Sequence, residues 1–246
     1  NGESLLNNIK DTLEVPHISE GYEKIIRLSK ESEVELFLQE MGIAAENKQI
    51  HGIIKFPRTR HLIRLESFTR DDLLLTATEI KLFFNVLLYV EEKLDGANLG
   101  ISIDKDFTIK IQNRSHYVDS SYHPQFKPLD KWIDTHSAEL YQILQPKTEI
   151  LFGEWLHMKH SINYTKLPDK FMAFDIYNTK TNTFLGRDEL EARLKDTTIC
   201  QVPIIAKQVF TKTQELLDLL KQNSLYYAGQ IEGVYLRLCK DGHTVN

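Results

Sequence analysis

The sequence predicts an α+β fold dominated by antiparallel sheet, and three observations carry that prediction. Asn98 to Ile103 alternates with Leu99, Ile101 and Ile103 on one side. After the polar Asp104-Lys105-Asp106 the alternation resumes with Phe107, Ile109 and Ile111. Residues 98–113 therefore read as one antiparallel hairpin that begins directly after a glycine turn at Gly96. Second, Pro128 to Leu144 sets Leu129, Trp132, Ile133, Leu140, Ile143 and Leu144 at helical spacing with Pro146 closing the run, which predicts a helix crossing the sheet. Third, strand-like runs recur with helices between them. Glu149–Leu156, Phe171–Tyr177, Val202–Phe210 and Ile231–Cys239 read as strands, and Arg187–Lys195 and Thr213–Gln222 as helices.

Upstream, Asn85–Glu92 is an apolar strand, and His51–Phe56 reads as a short strand ended by Pro57. The first fifty residues have a different texture. Glu20–Met41 spreads Ile25, Ile26, Leu28, Val34, Leu36, Phe37 and Leu38 among many charges without proline, which predicts short amphipathic helices stopped at Gly42. There is no internal repeat, low-complexity tract or long Gly/Ser linker. The simplest division is a small helical N-terminal extension over 1–50, covering a sheet edge or binding RNA or a partner, and one catalytic-size domain over 51–246.

Composition removes several classes. With 246 residues, 41% hydrophobic and 26% charged, the chain can build a sizeable core, which excludes disorder and a disulfide-stapled miniprotein. The 30 Lys plus Arg against 35 Asp plus Glu give a net charge of -5, which argues against a polycation coating nucleic acid but leaves room for a local basic groove. Cys200 and Cys239 are too few for a disulfide framework or a four-ligand zinc site, so the expected setting is reducing and intracellular, cytoplasmic or nuclear. No apolar run approaches the ~20 residues of a membrane span, and Asn1 to Val15 lacks the layout of a signal peptide.

The chemistry concentrates in Glu91-Glu-Lys93-Leu-Asp95-Gly96-Ala-Asn98. A lysine stands at the mouth of a strand, a carboxylate follows two residues on, and a glycine opens a tight turn. Lysine is a nucleophile only when neutral, with a reference pKa of ~10.4, so it needs burial or a nearby cation to lose its proton. A divalent metal supplies that field. Its carboxylates should come from other strands, and Glu154 and Glu232 are the candidates. A lone Lys-x-Asp-Gly also fits a solvated surface turn, in which Asp95 merely stabilises the bend before Gly96.

The order of further segments separates these readings, because here the chain resembles the covalent nucleotidyltransferases, the superfamily of ATP-dependent RNA and DNA ligases and mRNA capping enzymes. Lys93-Leu-Asp-Gly96 resembles motif I, whose lysine takes AMP through a phosphoramidate bond. Gln112-Asn-Arg114-Ser115 is similar to motif Ia, whose arginine approaches the ribose and the nucleic-acid strand. Phe152-Gly-Glu154-Trp155 resembles motif III, whose glutamate contacts the ribose or serves the metal. Phe171-Met-Ala-Phe174-Asp-Ile-Tyr177 resembles motif IIIa, with Phe174 as the ring stacked on the purine. Ile231-Glu232-Gly-Val-Tyr235 resembles motif IV, whose glutamate serves the catalytic metal. The wording around Glu92–Asn98, Gly153–Leu156 and Lys159–Ile162, together with Phe56-Pro-Arg-Thr-Arg-His61 upstream, is most similar to the nick-sealing RNA ligase branch.

The resemblance implies an antiparallel adenylyltransferase domain of the ATP-grasp-like ligase type, using ATP and Mg²⁺ or Mn²⁺. It implies joining of RNA 3'-hydroxyl and 5'-phosphate ends through lysyl-AMP and adenylylated RNA, in RNA repair. Lys93 is the implied nucleophile, and Glu154, Glu232 and Asp95 the implied metal side chains. Glu92 is implied at the adenine edge, with Gly96, Asn98 and Arg114 also at the nucleotide; Asn98 caps the turn or lines the mouth of the RNA channel. The family's motif V, a lysine-bearing strand past motif IV, has no counterpart before Asn246. Arg237 and Lys240 are the basic residues there and neither replaces it, so either the polypeptide is shortened or the family function is impaired; since the sequence also starts at Asn1 and not at a methionine, residues are expected to be missing from both ends, with any C-terminal domain. Lys207 is the remaining candidate to reach the phosphates.

Other chemistries lack support. His157-x-x-His160 has helical metal spacing but no third ligand, and fits an RNA end or a structural role better than zinc. Ser121, Ser161 and Ser224 lie in no Gly-x-Ser-x-Gly turn, and no phosphate-binding Gly-rich loop of the kinase type is present. The competing readings are a DNA ligase or capping-type enzyme with the same lysine chemistry, and a non-catalytic nucleic-acid-binding protein on a ligase fold.

Overall fold

The computed structural model describes residues 52–64 and 73–244, and the elements below belong to the unit that starts at Ile53. The helices expected within 1–50 lie outside the described residues. Nine strands follow in chain order: β1 Leu87–Glu92, β2 Ala97–Ile103, β3 Ile109–Gln112, β4 Glu149–Trp155, β5 Phe171–Asn178, β6 Thr183–Leu185, β7 Ile204–Val209, β8 Val234–Lys240 and β9 His243–Thr244. The α-helices are α1 Ala77–Ile80, α2 Leu129–Ile143, α3 Arg187–Leu194 and α4 Thr213–Leu219.

Every ladder is antiparallel, and the spatial order is β3-β2-β4-β5-β6-β9-β8-β1-β7. β1 and β2 are consecutive in the chain yet lie in different halves of this sheet. The link between them, Lys93–Gly96, crosses from one half to the other, so the expected nucleophile sits on the crossing itself.

One face of the β2–β5 half is the main core. Leu99, Ile101 and Ile103 point to it, as their alternation predicts, and are essentially inaccessible to solvent. α2 covers this face because Leu129, Trp132, His136, Leu140 and Ile143 form a single buried stripe, and α3 adds Leu190 and Leu194. The opposite face carries Ile150, Phe152 and Glu154 of β4 and Phe174 of β5, and forms one wall of a cleft. The β1–β8 half has its own cluster around Leu88, Val90, Phe210 and Leu216.

Several expectations need correction. Residues 52–60 form no strand: the Ile54 carbonyl accepts the Gln112 side-chain amide at 2.8 Å, and Phe56 packs edge-on against Phe152, Phe174 and Phe184, so side chains replace the ladder expected at His51–Phe56. Phe107 does not continue the buried face of the hairpin. It occupies the turn at φ 57° and is 65% exposed. The strand expected at Val202 begins at Ile204, after Pro203, and the one expected at Ile231 begins at Val234. Strands β6 and β9, which join the two halves of the sheet, were not foreseen.

Candidate active site

Two ladder irregularities flank the site. Val90 and Glu91 of β1 pair with Ala206 and Ile204, and Phe152 and Gly153 of β4 pair with Asp175 and Ala173, so the extra residues are Ile205 of β7 and Phe174 of β5. A bulge bends its strand and re-aims a side chain, here that of Phe174, which lines the cavity described below. Glycine is required at both approaches: a Cβ on Gly153 would lie 2.3 Å from the Phe171 ring, and one on Gly96 2.5 Å from the Trp155 carbonyl oxygen. These contacts bring the Lys93–Gly96 crossing down onto the end of β4, where the Gly96 N–H donates to Glu154 Oε1 at 2.9 Å.

Lys93 is held at both ends. Its backbone N–H donates to the Gly233 carbonyl at 3.0 Å, and its ammonium donates to Glu232 Oε1. Burial pulls the Lys93 pKa down, but the hydrogen bond and charge of Glu232 leave it above the ordinary lysine value. The free protein therefore keeps Lys93 as a protonated, non-nucleophilic ion pair. Glu154 behaves oppositely: burial pushes its carboxyl up to about 7, against the pull of the Gly96 N–H, Lys93 and Arg114.

Asp95 has a positioning role. Its carboxylate accepts the Ser161 N–H at 2.7 Å and the Ser161 hydroxyl, and its own N–H donates to the Tyr164 hydroxyl oxygen at 2.8 Å. Burial raises its pKa, but the two Ser161 bonds win and hold the carboxyl below its usual value. Asn98 stands directly across the ladder from Glu154. Arg114 is displayed by a turn in which Asn113 Oδ1 accepts the N–H groups of Ser115 and His116 at 2.8 and 2.7 Å.

Glu92, Lys93, Asp95, Gly96, Asn98, Arg114, Glu154 and Phe174 line one cavity of about 290 Å³, and Glu232 reaches it through its bond to Lys93. Glu92 is 2% exposed, and neither carboxylate oxygen has a hydrogen-bond partner in the protein. Burial raises its pKa; the Ser224 hydroxyl and Leu225 N–H pull partly back without reaching hydrogen-bond geometry. Lys207 is not brought in. Its ammonium lies 3.0 Å from Asp188 Oδ1 and 4.5 Å above the Tyr89 ring, away from the lining residues.

Among the described residues no three His, Cys, Asp or Glu side chains are gathered as a metal-binding cluster. Glu154 instead lines the cavity and Glu232 reaches it through Lys93, as separate carboxylates. That donor set suits Mg²⁺ or Mn²⁺ held by one or two carboxylates and completed by substrate phosphates, and does not suit an all-protein cage.

Four residues were given no role in the site by the sequence. Tyr164 and Ser161 clamp the crossing from a loop whose role depends on contacts 69 and 66 residues away. Tyr235 and Arg237 line the cavity from β8. Arg237 is an internal strut: it donates to Glu91 Oε2 at 2.9 Å, to Asp175 Oδ1 at 2.7 Å and to the Phe174 carbonyl at 3.0 Å. The alternation of β8, which puts Tyr235 and Arg237 on one side, was the available signal.

A family model described as RNA ligase matches residues 87–245. The chain belongs to the RNA ligase family. Every candidate site residue lies inside the matched span. No curated protein sequence matches it. Among solved structures, a Naegleria gruberi RNA ligase variant with ATP and Mn superposes with TM-score 0.58 at 20% identity, covering 75% of this chain and 52% of that one. Naegleria gruberi RNA ligase with PPi gives 0.56 at 18% identity, covering 81% and 65%. An archaeal ATP-dependent RNA ligase gives 0.51 at 21% identity, covering 75% and 45%. These likenesses concern the fold, and the chain spans about half the length of the first of these neighbours. Among the described residues no helix is long and apolar enough to cross a membrane.

Proposed function

We propose that this chain carries the adenylation centre, of the ATP-grasp-like ligase type, of an ATP-dependent RNA ligase acting in RNA repair. The Lys93 nitrogen attacks the α-phosphorus of ATP, an N–P bond forms, and the bond to pyrophosphate breaks. AMP then passes from Lys93 to an RNA 5'-phosphate, and a 3'-hydroxyl displaces it to close the strand. The observation that carries this reading is the Lys93–Glu232 pair in a cavity that also holds Glu154, Arg114 and Phe174.

Each residue has a task suited to its surroundings. Glu232 must let go of the ammonium before Lys93 can lose its proton, which keeps the lysine inert until the site is filled. Glu154 and Glu232 would hold a divalent metal, which when bound neutralises charge on the triphosphate. Arg114 offers a guanidinium fork to ribose or phosphate. Phe174, braced by Phe56 with ring centroids 5.0 Å apart, offers a face to the purine. Glu92, an unpaired acceptor, favours the adenine amino group over the guanine carbonyl oxygen.

The test is incubation with Mg²⁺ and ATP labelled at the α-phosphate, with GTP and NAD in parallel, followed by mapping of the labelled peptide. Label from ATP on Lys93 that is absent in Lys93→Ala, and that discharges onto 5'-phosphorylated RNA, is the expected outcome. Wild-type protein that takes no label would leave the binding-protein reading in its place.

A further inference from the structure

The rim beside the Lys93 crossing is built from residues 114–127 and 157–170, and its charge runs against that of the chain. Together these segments hold five Lys or Arg, four His and two Asp, in a chain of net charge -5. Both acids are engaged locally: Asp169 Oδ2 accepts the Trp132 indole N–H at 2.6 Å, and Asp119 Oδ1 accepts the Ser121 N–H at 2.8 Å. Arg114, Lys159 and His160 are exposed.

The rim is also continuous. The Tyr122 hydroxyl and His116 Nδ1 are 3.2 Å apart, His160 Nε2 lies 3.4 Å from Gln125 Oε1, and Ser161 holds Asp95 beside Lys93. Contacts thus lead from the motif Ia loop through the Tyr122 turn and the His160 loop to the nucleophile. Along this path the Tyr122 ring is 48% exposed and is supported from beneath by buried Phe126, with centroids 6.0 Å apart. An exposed tyrosine alone is ordinary. A braced ring on a path that carries Arg114 and Lys159 and ends at a nucleophile is a different arrangement.

We propose that this rim is the docking track for single-stranded RNA adjoining the reacting end, with one base stacked on Tyr122 and a backbone phosphate paired with Lys159. The inference rests on the RNA ligase reading and goes beyond it by naming where the strand lies. Single strands are recognised through the combination present here, aromatic faces for unstacked bases and cations for the phosphates. An acidic polypeptide would use the cations and leave the ring idle.

The experiment measures equilibrium binding of a short fluorescent 5'-phosphorylated RNA across a salt series, with melting temperature and ATP labelling of Lys93 followed in the same preparations. Tyr122→Ala is expected to weaken RNA binding about tenfold or more, and Tyr122→Phe to restore it. Lys159→Ala is expected to lower the salt slope of log affinity by roughly 0.7. Lys93 labelling, which needs no RNA, should be unchanged in all three. A folded Tyr122→Ala that binds RNA like wild type overturns the track, as does a Tyr122→Phe as weak as Ala. Polyglutamate that displaces RNA equally from wild type and Tyr122→Ala would reveal a general anion surface and also overturn it. If Tyr122→Ala fails to fold, an unchanged salt slope in Lys159→Ala rejects the proposal. Loss of labelling in wild type would strike the catalytic reading alone, since the binding changes are read independently.

Discussion

The cleft has two ionic regions built from similar side chains and arranged to opposite ends. In its floor, Glu91 and Asp175 face Arg187 and Arg237, two acids against two bases, and none is more than 8% exposed. At the crossing, Glu154, Glu232 and Asp95 face Lys93, with Arg114 at the edge, so carboxylates outnumber cations and the groups remain partly open to solvent. The floor is charge-balanced: Arg237 bonds Glu91, Asp175, Thr244 and the Phe174 carbonyl, and Arg187 Nε stands 2.7 Å from Glu91 Oε1. A balanced buried network fixes geometry, whereas an unbalanced one leaves capacity for a cation and a substrate.

The strongest way to break this contrast is to remove one charge from the floor. Arg237→Met leaves Glu91 and Asp175 buried without their main partner, and breaking such a pair costs about 3–5 kcal/mol. Burial already raises the Asp175 carboxyl to about 6 despite the guanidinium beside it, so the loss should be felt above that pH. Urea unfolding at pH 8 should show the full loss. Arg114→Met, at the exposed edge, should change stability by less than about 0.5 kcal/mol while impairing transfer of AMP to RNA. Equal stability losses for the two would mean that the floor is no more structural than the edge.

The second test concerns Glu154, where the fold holds a group in a charge state it disfavours. Burial moves its pKa from 4.5 to about 7. Below the lower value both folded and unfolded chains carry the proton and no cost arises. Between the two, the folded state binds the proton more tightly, so stability falls as pH rises, and the cost is complete above about 7. Glu154→Gln keeps an acceptor for the Gly96 N–H and removes the charge. It should raise stability by roughly 1–3 kcal/mol at pH 8, measured with metal chelated, and by nearly nothing at pH 4, while abolishing Lys93 labelling. A variant less stable at pH 8 than wild type would show that the carboxylate is not under strain.

What was legible in the sequence follows the same division. The β2–β3 hairpin, α2 and the motif residues declare themselves through local period, proline placement and short contiguous wording. Strands β6 and β9 do not, because three- and two-residue pieces carry no period and exist only through their pairing with β5, with each other and with β8. Phe107 follows the alternation on paper but is turned outward by a left-handed backbone at the hairpin tip. In the site, Lys93, Glu154 and Glu232 could be named because chemistry selects their residue types. Ser161, Tyr164 and Arg237 could not, since each acts through a partner more than sixty positions away.

A smaller effect sharpens the account of the resting state. Glu232→Gln removes the charge that holds the Lys93 pKa up while leaving the burial that pulls it down. Lys93 should then be deprotonated more readily and react several-fold faster with an acylating reagent at pH 8, although the proposed adenylylation should be lost with the carboxylate proposed to hold the metal. Site-resolved acylation rates read this directly, and a Lys93 no faster than in wild type would mean that Glu232 does not set its protonation.

The smallest effect expected is at Lys207, which could serve the phosphates only if its ammonium left Asp188 and the Tyr89 ring. Both side chains of that pair are largely exposed, at 46% and 64%, and such a pair contributes at most about 1 kcal/mol. Lys207→Ala should therefore lower stability by less than that and leave the rate of Lys93 labelling unchanged. A large fall in labelling with stability intact would show that the strand swings Lys207 toward the nucleotide during the reaction. The cleft of the free protein would then be one of two arrangements, with the Asp188 pair as the latch that holds it.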